Sequence, residues 1–340
     1  MIPLLTTAPR EAPSRTTPGS ASEHLPMDVA IDLAWVETAL VERLASDIPV
    51  AMDIGRQAVR AGGKRVRPIV SLLFARALGA PVDRSRELAL VVEWVHVASL
   101  LHDDVIDRAE QRRGQPAAHV IHGEHAAIMT GDYLLARAIQ QLLLRGDPDG
   151  AGGALGEAVA LLAEGEILEA GLRGRLDATP QDLEAVAYRK TSSLLAWAAR
   201  AGAQAAHASP GACAQAARYG AQLGLAFQYA DDALDYAADA RTGKDRLADL
   251  RAGLPTLPLL HAFAHDPGLR SQVARYLEAP APDVARAIAT RVRAAGGVAA
   301  ARAAAREAAR SAVRALACLP AGAHRSALAR LARYVARRDR

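Results

Sequence analysis

From residue 28 onward, apolar positions recur at helical rather than alternating spacing. Helices are predicted near 29–47, 50–61, 66–79, 84–107, 117–145, 151–171, 180–206 and 211–239. Shorter ones follow near 255–265, 269–277, 281–295, 297–317 and 322–338. The breaks carry helix-stopping residues, as in Gly79-Ala80-Pro81, Gly146 to Gly150, and Ser209-Pro210-Gly211. No sustained period-two alternation occurs, so no sheet is expected. Residues 297–317 look low in complexity, but their arginines recur mostly at helical spacing, as on an amphipathic helix. Residues 88–101 and 219–230 are apolar nearly all round and read as helices inside a large bundle. Both run directly into aspartates. Buried charge is costly unless paired or metal-bound, so each cluster must open onto a cavity.

Composition supports the helical reading. Hydrophobic residues are 51% and aromatics only 4%, so Ala, Leu and Val dominate. No Pro/Gly linker divides the chain, and an all-α single domain over 28–340 is expected. Residues 1–27 are rich in Pro, Ser and Thr and read as a flexible N-terminal tail. They lack the apolar core of a signal peptide; Arg10 and Arg15 give only a faint likeness to a transit peptide, and Met27 is a candidate start. Two cysteines, Cys213 and Cys318, exclude a disulfide scaffold and fit a reducing, cytoplasmic setting. No apolar run is long enough to span a membrane. With a net charge of +4, no nucleic-acid partner is expected.

The aspartate clusters read Asp103-Asp104-Val105-Ile106-Asp107 and Asp231-Asp232-Ala233-Leu234-Asp235. Residues four apart share a helix face, so Asp103 pairs with Asp107 and Asp231 with Asp235. The first stripe extends upstream through Ser99, His96 and Glu93, and the second through Gln228 and Gly224. Hard divalent cations favour such carboxylates, and Mg²⁺ keeps waters while bridging one or two carboxylates to phosphates. Gly62-Gly63-Lys64-Arg65-Val66-Arg67-Pro68 is a glycine turn with three cations ahead of a helix, a setting suited to anions. Arg112-Arg113-Gly114 follows the first cluster. Of the 41 basic residues only Lys64, Lys190 and Lys244 are lysine, and each falls beside a candidate phosphate site. His119, His122 and His125 read as surface or packing residues.

Together these segments resemble the trans-isoprenyl diphosphate synthases, the polyprenyl synthetase family. They are GGKRVRP at 62–68, HVASLLHDDVID at 96–107, RRG at 112–114, GD at 131–132 and KTSSL at 190–194. FQYADDALDY at 227–236, GK at 243–244, TLP at 256–258 and the basic end Tyr334 to Arg338 complete the set. The resemblance implies a helical bundle with a deep central cavity, Mg²⁺ as cofactor, and a homodimer. It implies that isopentenyl diphosphate is condensed with an allylic diphosphate, with transient membrane contact compatible with product release.

It further implies that Asp103, Asp104 and Asp107 face Asp231, Asp232 and Asp235 across the allylic diphosphate. Asp103, Asp107, Asp231 and Asp235 would be the metal ligands. Arg112, Lys190, Thr191, Gln228 and Lys244 would touch that diphosphate, and Lys190 would act in catalysis with the aspartates. Lys64, Arg67, His96 and Arg113 would hold isopentenyl diphosphate. The family's usual proline after Gly-Lys is Asp245 here, which weakens the Lys244 assignment. Small Ala98 and Ser99 below the first cluster, and no insertion within it, argue for a geranylgeranyl or longer product; Trp94, one turn deeper, is a candidate cap. A terpene cyclase on the same fold and a non-catalytic subunit of a heteromeric synthase are the alternatives. The full cation set argues against the first and both intact clusters against the second.

Overall fold

The computed structural model describes residues 25–144, 150–237 and 247–338. The first six helices are α1 (Met27–Glu42), α2 (Pro49–Arg60), α3 (Val66–Leu78), α4 (Val82–Ile106), α5 (Ala118–His122) and α6 (Glu124–Leu143). Then come α7 (Ala151–Leu172), α8 (Pro180–Ala187), α9 (Ser193–Ala205), α10 (Pro210–Tyr236) and α11 (Ala248–Arg251). The last five are α12 (Leu257–His265), α13 (Leu269–Glu278), α14 (Pro282–Ala294), α15 (Gly297–Ala315) and α16 (Ala323–Ala336). Between α4 and α5 two short strands, β1 (Gln111–Arg112) and β2 (Gln115–Pro116), pair antiparallel. The fold is all-α, but this hairpin corrects the expectation of no sheet. It is too short to show alternation, and its turn is set by Arg113 and Gly114, both at positive φ.

Three predicted boundaries move for local reasons. The 117–145 helix is broken at Gly123, whose φ of 87° and ψ of 153° end α5 and start α6. The 180–206 helix contains a π-helical turn, Tyr188–Ser192, between α8 and α9. The first helix starts at Met27, inside the predicted tail, and stops at Glu42. Residues 1–24 and Lys244 lie outside the described residues. Thr179 and Asp182 form a capping box around Pro180, and Ser209, in the predicted Ser209-Pro210-Gly211 break, caps α10 ahead of Pro210.

Helices α3, α4, α9 and α10 form the centre. Every residue from 88 to 95 on α4 is buried, as are 223–226 on α10 and 68–75 on α3. Helix α9 packs against α3, α4 and α10, and so lies between the helices that carry the aspartates. Helix α15 lays Ala301, Ala305, Ala308 and Ala312 on α10 while Arg302, Arg306, Arg310 and Arg314 face solvent, the amphipathic pattern expected. A smaller apolar cluster, built on Tyr236, Leu259, Ile288 and their neighbours, joins α11–α14 to the end of α10. Among the described residues no helix is long and apolar enough to cross a membrane.

Candidate active site

The first aspartate cluster ends α4. Asp104 is buried and accepts a hydrogen bond from Arg112 Nε at 2.7 Å, with a second from Nη2. Thus Asp104 fixes the hairpin that carries Arg112. Asp107 pairs with Arg173, just beyond α7, at 2.9 Å. Burial, and then the charge of Glu166, push the Asp103 carboxyl up to about 7, against the pull of Lys190 and Arg112. A carboxyl short of counter-charge in this way is well disposed to a cation.

The second cluster ends α10. Asp232 is buried, accepts from Gln228 Nε2 at 2.9 Å and from the Leu257 backbone N–H at 3.3 Å, and is still pushed by burial to about 7. Thr191 Oγ1 donates to Gln228 Oε1 at 3.2 Å, tying the π turn to this carboxylate. Asp235 accepts the Ala248 and Asp249 N–H groups at 2.8 and 3.1 Å, which makes it the N-terminal anchor of α11. Asp231 is half exposed and lies 3.4 Å from Arg338, whose guanidinium sits 4.3 Å over the Phe227 ring. Asp249 joins this group: burial, then Asp235 and Asp232, raise its carboxyl to about 8.

Between the clusters stands Lys190 on the π turn. Its Nζ donates to Glu166 at 2.9 Å and Glu169 at 2.7 Å. The contact depends on Gly165: a Cβ there would lie 2.7 Å from the Lys190 backbone N. Glu169, Lys190, Gln228, Asp232, Asp249 and Thr256 are among the residues lining one cleft.

A separate group of cations gathers around α3. Arg65, the left-handed residue before that helix (φ 47°), donates to Glu93 at 2.6 Å and to the Val59 carbonyl at 2.9 Å. Arg67 and Arg113 also lie in the field of Glu93. The Arg113 guanidinium packs on Gly63, where a Cβ would approach it to 2.9 Å, so the GGK turn and the RRG hairpin fit together. His96 is held well below the ordinary imidazole range by burial and by Arg67 and Arg113, and is therefore a neutral donor-acceptor. Lys64 reaches α16, with Nζ 5.6 Å over the Tyr334 ring. Gly131 of the GD pair makes room for His102, which lies 3.4 Å from Asp132.

Ser99 is half-buried and shares the side of α4 that bears Asp103, whereas Ala98 is buried in helix packing. Trp94 stands about 180° round the helix from Asp103. It is fully buried, and its indole donates to the Leu40 carbonyl of α1 at 3.2 Å. The structure thus makes Trp94 a core residue turned away from the aspartate face, which corrects its reading as a cap. The sequence reading also passed over Arg65, Arg173, Glu166, Glu169 and Asp249. For the two glutamates a signal existed: they fall three residues apart on one helix face, directly after a glycine.

Among the described residues no three carboxylate or histidine side chains converge tightly enough to chelate an ion alone. The donor set is all hard oxygen, and the elevated Asp103 and Asp232 are the groups a cation would relieve.

Comparison with known proteins agrees with this geometry. The chain is 36% identical over 314 residues to octaprenyl diphosphate synthase of Escherichia coli, covering 92% of this chain and 97% of that one. It is 33% identical over 315 residues to a geranyl-diphosphate-specific all-trans-nonaprenyl-diphosphate synthase of Rhodobacter capsulatus, covering 90% and 94%. A polyprenyl synthase of Caulobacter crescentus, crystallised with calcium and isoprenyl diphosphate, superposes with a TM-score of 0.88 at 34% identity, over 96% of this chain and 100% of that one. The polyprenyl synthetase family model matches residues 49–292. With that match spanning well over half its length, the chain belongs to the polyprenyl synthetase family.

Proposed function

We propose that this enzyme is a trans polyprenyl diphosphate synthase. It condenses isopentenyl diphosphate with an allylic diphosphate, releasing diphosphate and a geranylgeranyl or longer product. The observation that supports the reading is the presence of two separate groups of cations. One is Lys190 between two aspartate clusters, and the other is the Arg65, Arg67, Arg113 and His96 group around Glu93. A cyclase uses one diphosphate and has no need of the second group.

Asp103 and Asp107 on α4, with Asp231 and Asp235 on α10, are the residues that would hold Mg²⁺. Bound there, Mg²⁺ supplies positive charge to the leaving diphosphate and so favours ionisation of the allylic C–O bond. Lys190 and Arg112 add fixed cations beside the same diphosphate, and Thr191 and Gln228 orient it through hydrogen bonds. Lys244 is assigned there by family pattern alone. Arg67 and Arg113, with neutral His96 and Lys64, grip the diphosphate of isopentenyl diphosphate, whose double bond then attacks the allylic carbon. Holding both reactants in place removes the cost of a bimolecular encounter. Loss of a proton, by family analogy to the departed diphosphate, completes the step. The apolar body of α4 below Ser99 excludes water that would quench the cation.

The reading includes a cytoplasmic homodimer. Helix α6 presents Met129, Ala136, Ile139 and Leu143 to solvent along one stripe, and α5 adds Val120 and Ile121. An exposed apolar face of this kind suits a second copy of the chain.

Asp103→Asn and Asp231→Asn test the site. Each is expected to cut turnover by orders of magnitude with the helical content unchanged, because an amide oxygen is a weaker ligand for a hard cation. Near-wild-type turnover in either variant with Mg²⁺ supplied would overturn the two-cluster reading.

A further inference from the structure

The ion pair of Lys190 with two glutamates is not explained by diphosphate binding alone. Lys190 Nζ lies 2.9 Å from Glu166 Oε2 and 2.7 Å from Glu169 Oε1, and all three side chains are about one-fifth exposed, at 23%, 20% and 20%. A lysine meant simply to meet a phosphate needs no such partners, since its ammonium is charged at neutral pH without them. Their effect is visible in its acidity. Burial works against the ammonium, but Glu169 and Glu166 outweigh it and hold Lys190 above the ordinary lysine range. Glu166 keeps its second oxygen, Oε1, buried with no hydrogen-bond partner, which is costly in a site built only for stability. Glu166 is also the strongest charged influence on Asp103.

The backbone is arranged for this contact. The π turn Tyr188–Ser192 interrupts the regular helix where Lys190 sits, and π turns concentrate at functional positions. Gly165 lets α7 come close enough for its next residues to reach the ammonium. The result is one lysine faced by Glu166 and Glu169, with Asp103 on the neighbouring helix. An incoming diphosphate without metal meets more negative than positive charge there. A diphosphate that carries a divalent cation meets carboxylates able to share that cation, and Lys190 is then free to turn to the phosphate.

We propose that Glu166 and Glu169 are positioning residues that hold the Lys190 ammonium at the first aspartate cluster and reserve it for a diphosphate arriving with its divalent cation. They act through Lys190 and the local charge, so the site discriminates between metal-bound and metal-free diphosphate. This rests on the prenyl synthase reading above and adds to it an order of loading.

The test uses the full-length protein and inorganic diphosphate, titrated calorimetrically in EDTA and again in Mg²⁺. The wild type is expected to bind diphosphate in Mg²⁺ and to bind it far more weakly in EDTA. Glu166→Gln and Glu169→Gln are each expected to tighten binding in EDTA by roughly tenfold, the effect of one recovered charge-assisted contact. Adding Lys190→Gln to either is expected to remove the gain. In the Mg²⁺-loaded enzyme both glutamine variants are expected to lower kcat while leaving the KM for isopentenyl diphosphate unchanged, because that site lies elsewhere. Melting curves establish that each variant is folded, and either variant alone decides the matter. If a folded glutamine variant binds metal-free diphosphate no tighter than wild type, or if the gain survives Lys190→Gln, the proposal is overturned. Product formation by the wild type is measured separately, so this failure is distinct from failure of the prenyl synthase reading.

Discussion

Removing Glu93 tests how the cation group proposed to hold isopentenyl diphosphate is held together. Its carboxylate lies 2.6 Å from Arg65 Nη1, with side chains 4% and 8% exposed. It is also an attractive charge for Arg67 and Arg113. Glu93→Leu leaves three guanidinium groups crowded together without that counter-charge. Breaking one half of a buried ion pair costs about 3–5 kcal/mol. That is a large part of the roughly 5–15 kcal/mol that keeps a protein folded. The reverse change, Arg65→Met, is expected to cost less, about 1–3 kcal/mol, because Glu93 still faces Arg67 and Arg113. The asymmetry is the diagnostic feature. Urea unfolding followed by circular dichroism gives both values, and the double variant is expected to lose less than their sum. Both substitutions loosen the turn that carries Lys64 and Arg67, so the KM for isopentenyl diphosphate is expected to rise while that of the allylic substrate stays put. If Arg65→Met proves the costlier change, or if both cost less than about 1 kcal/mol, Glu93 is not the counter-charge of this group.

The remaining predictions concern the aspartates, the chain channel and the π turn. Asp103 and Asp232 are raised from 3.8 to about 7, so the folded protein holds protons that the unfolded chain gives up. Their contribution to stability is therefore full below about pH 4 and is lost as pH rises through about 7. In EDTA the melting temperature is expected to fall across that window, and Mg²⁺ to restore it at the upper end. A flat profile in EDTA would contradict this assignment. Ser99→Phe is expected to shorten the main product made from a farnesyl primer, by chromatography. Ala98→Phe, at a packed position, is expected to destabilise by about 1–3 kcal/mol instead; wild-type product length from Ser99→Phe would refute a channel along this face. Gly165→Ala places a Cβ 2.7 Å from the Lys190 N and is expected to lower kcat strongly, with a stability loss of about 1–3 kcal/mol. A wild-type kcat would show that the close approach does not set Lys190.

The parts of the site legible in the sequence were those written as local patterns. Two D-D-x-x-D runs each end a wholly apolar segment, and three isolated lysines stand in an arginine-rich chain. Such features survive folding because helix geometry alone puts their members on one face. The roles that escaped are relational. Arg65 sits between two candidate phosphate ligands in the sequence, yet it turns inward to Glu93 because its left-handed backbone aims it there. Asp104 and Asp235 belong to the motifs but anchor neighbouring elements, the hairpin and α11. Trp94 lies one turn below Ala98 but nearly opposite Asp103, and the partner that claims it, Leu40 O, is 54 residues away. Asp249 becomes part of the site only because α11 folds back onto Asp235. The hairpin and the break at Gly123 were missed since each depends on one or two positive-φ residues rather than on periodicity.

The most direct test of the central claim is turnover by the purified chain alone. Radiolabelled isopentenyl diphosphate is supplied with dimethylallyl, geranyl, farnesyl or geranylgeranyl diphosphate and Mg²⁺, and the extracted products are resolved by length. The proposed function predicts Mg²⁺-dependent incorporation of label into geranylgeranyl diphosphate or longer chains. No incorporation from any primer, or conversion of an allylic diphosphate to a hydrocarbon without isopentenyl diphosphate, would contradict it.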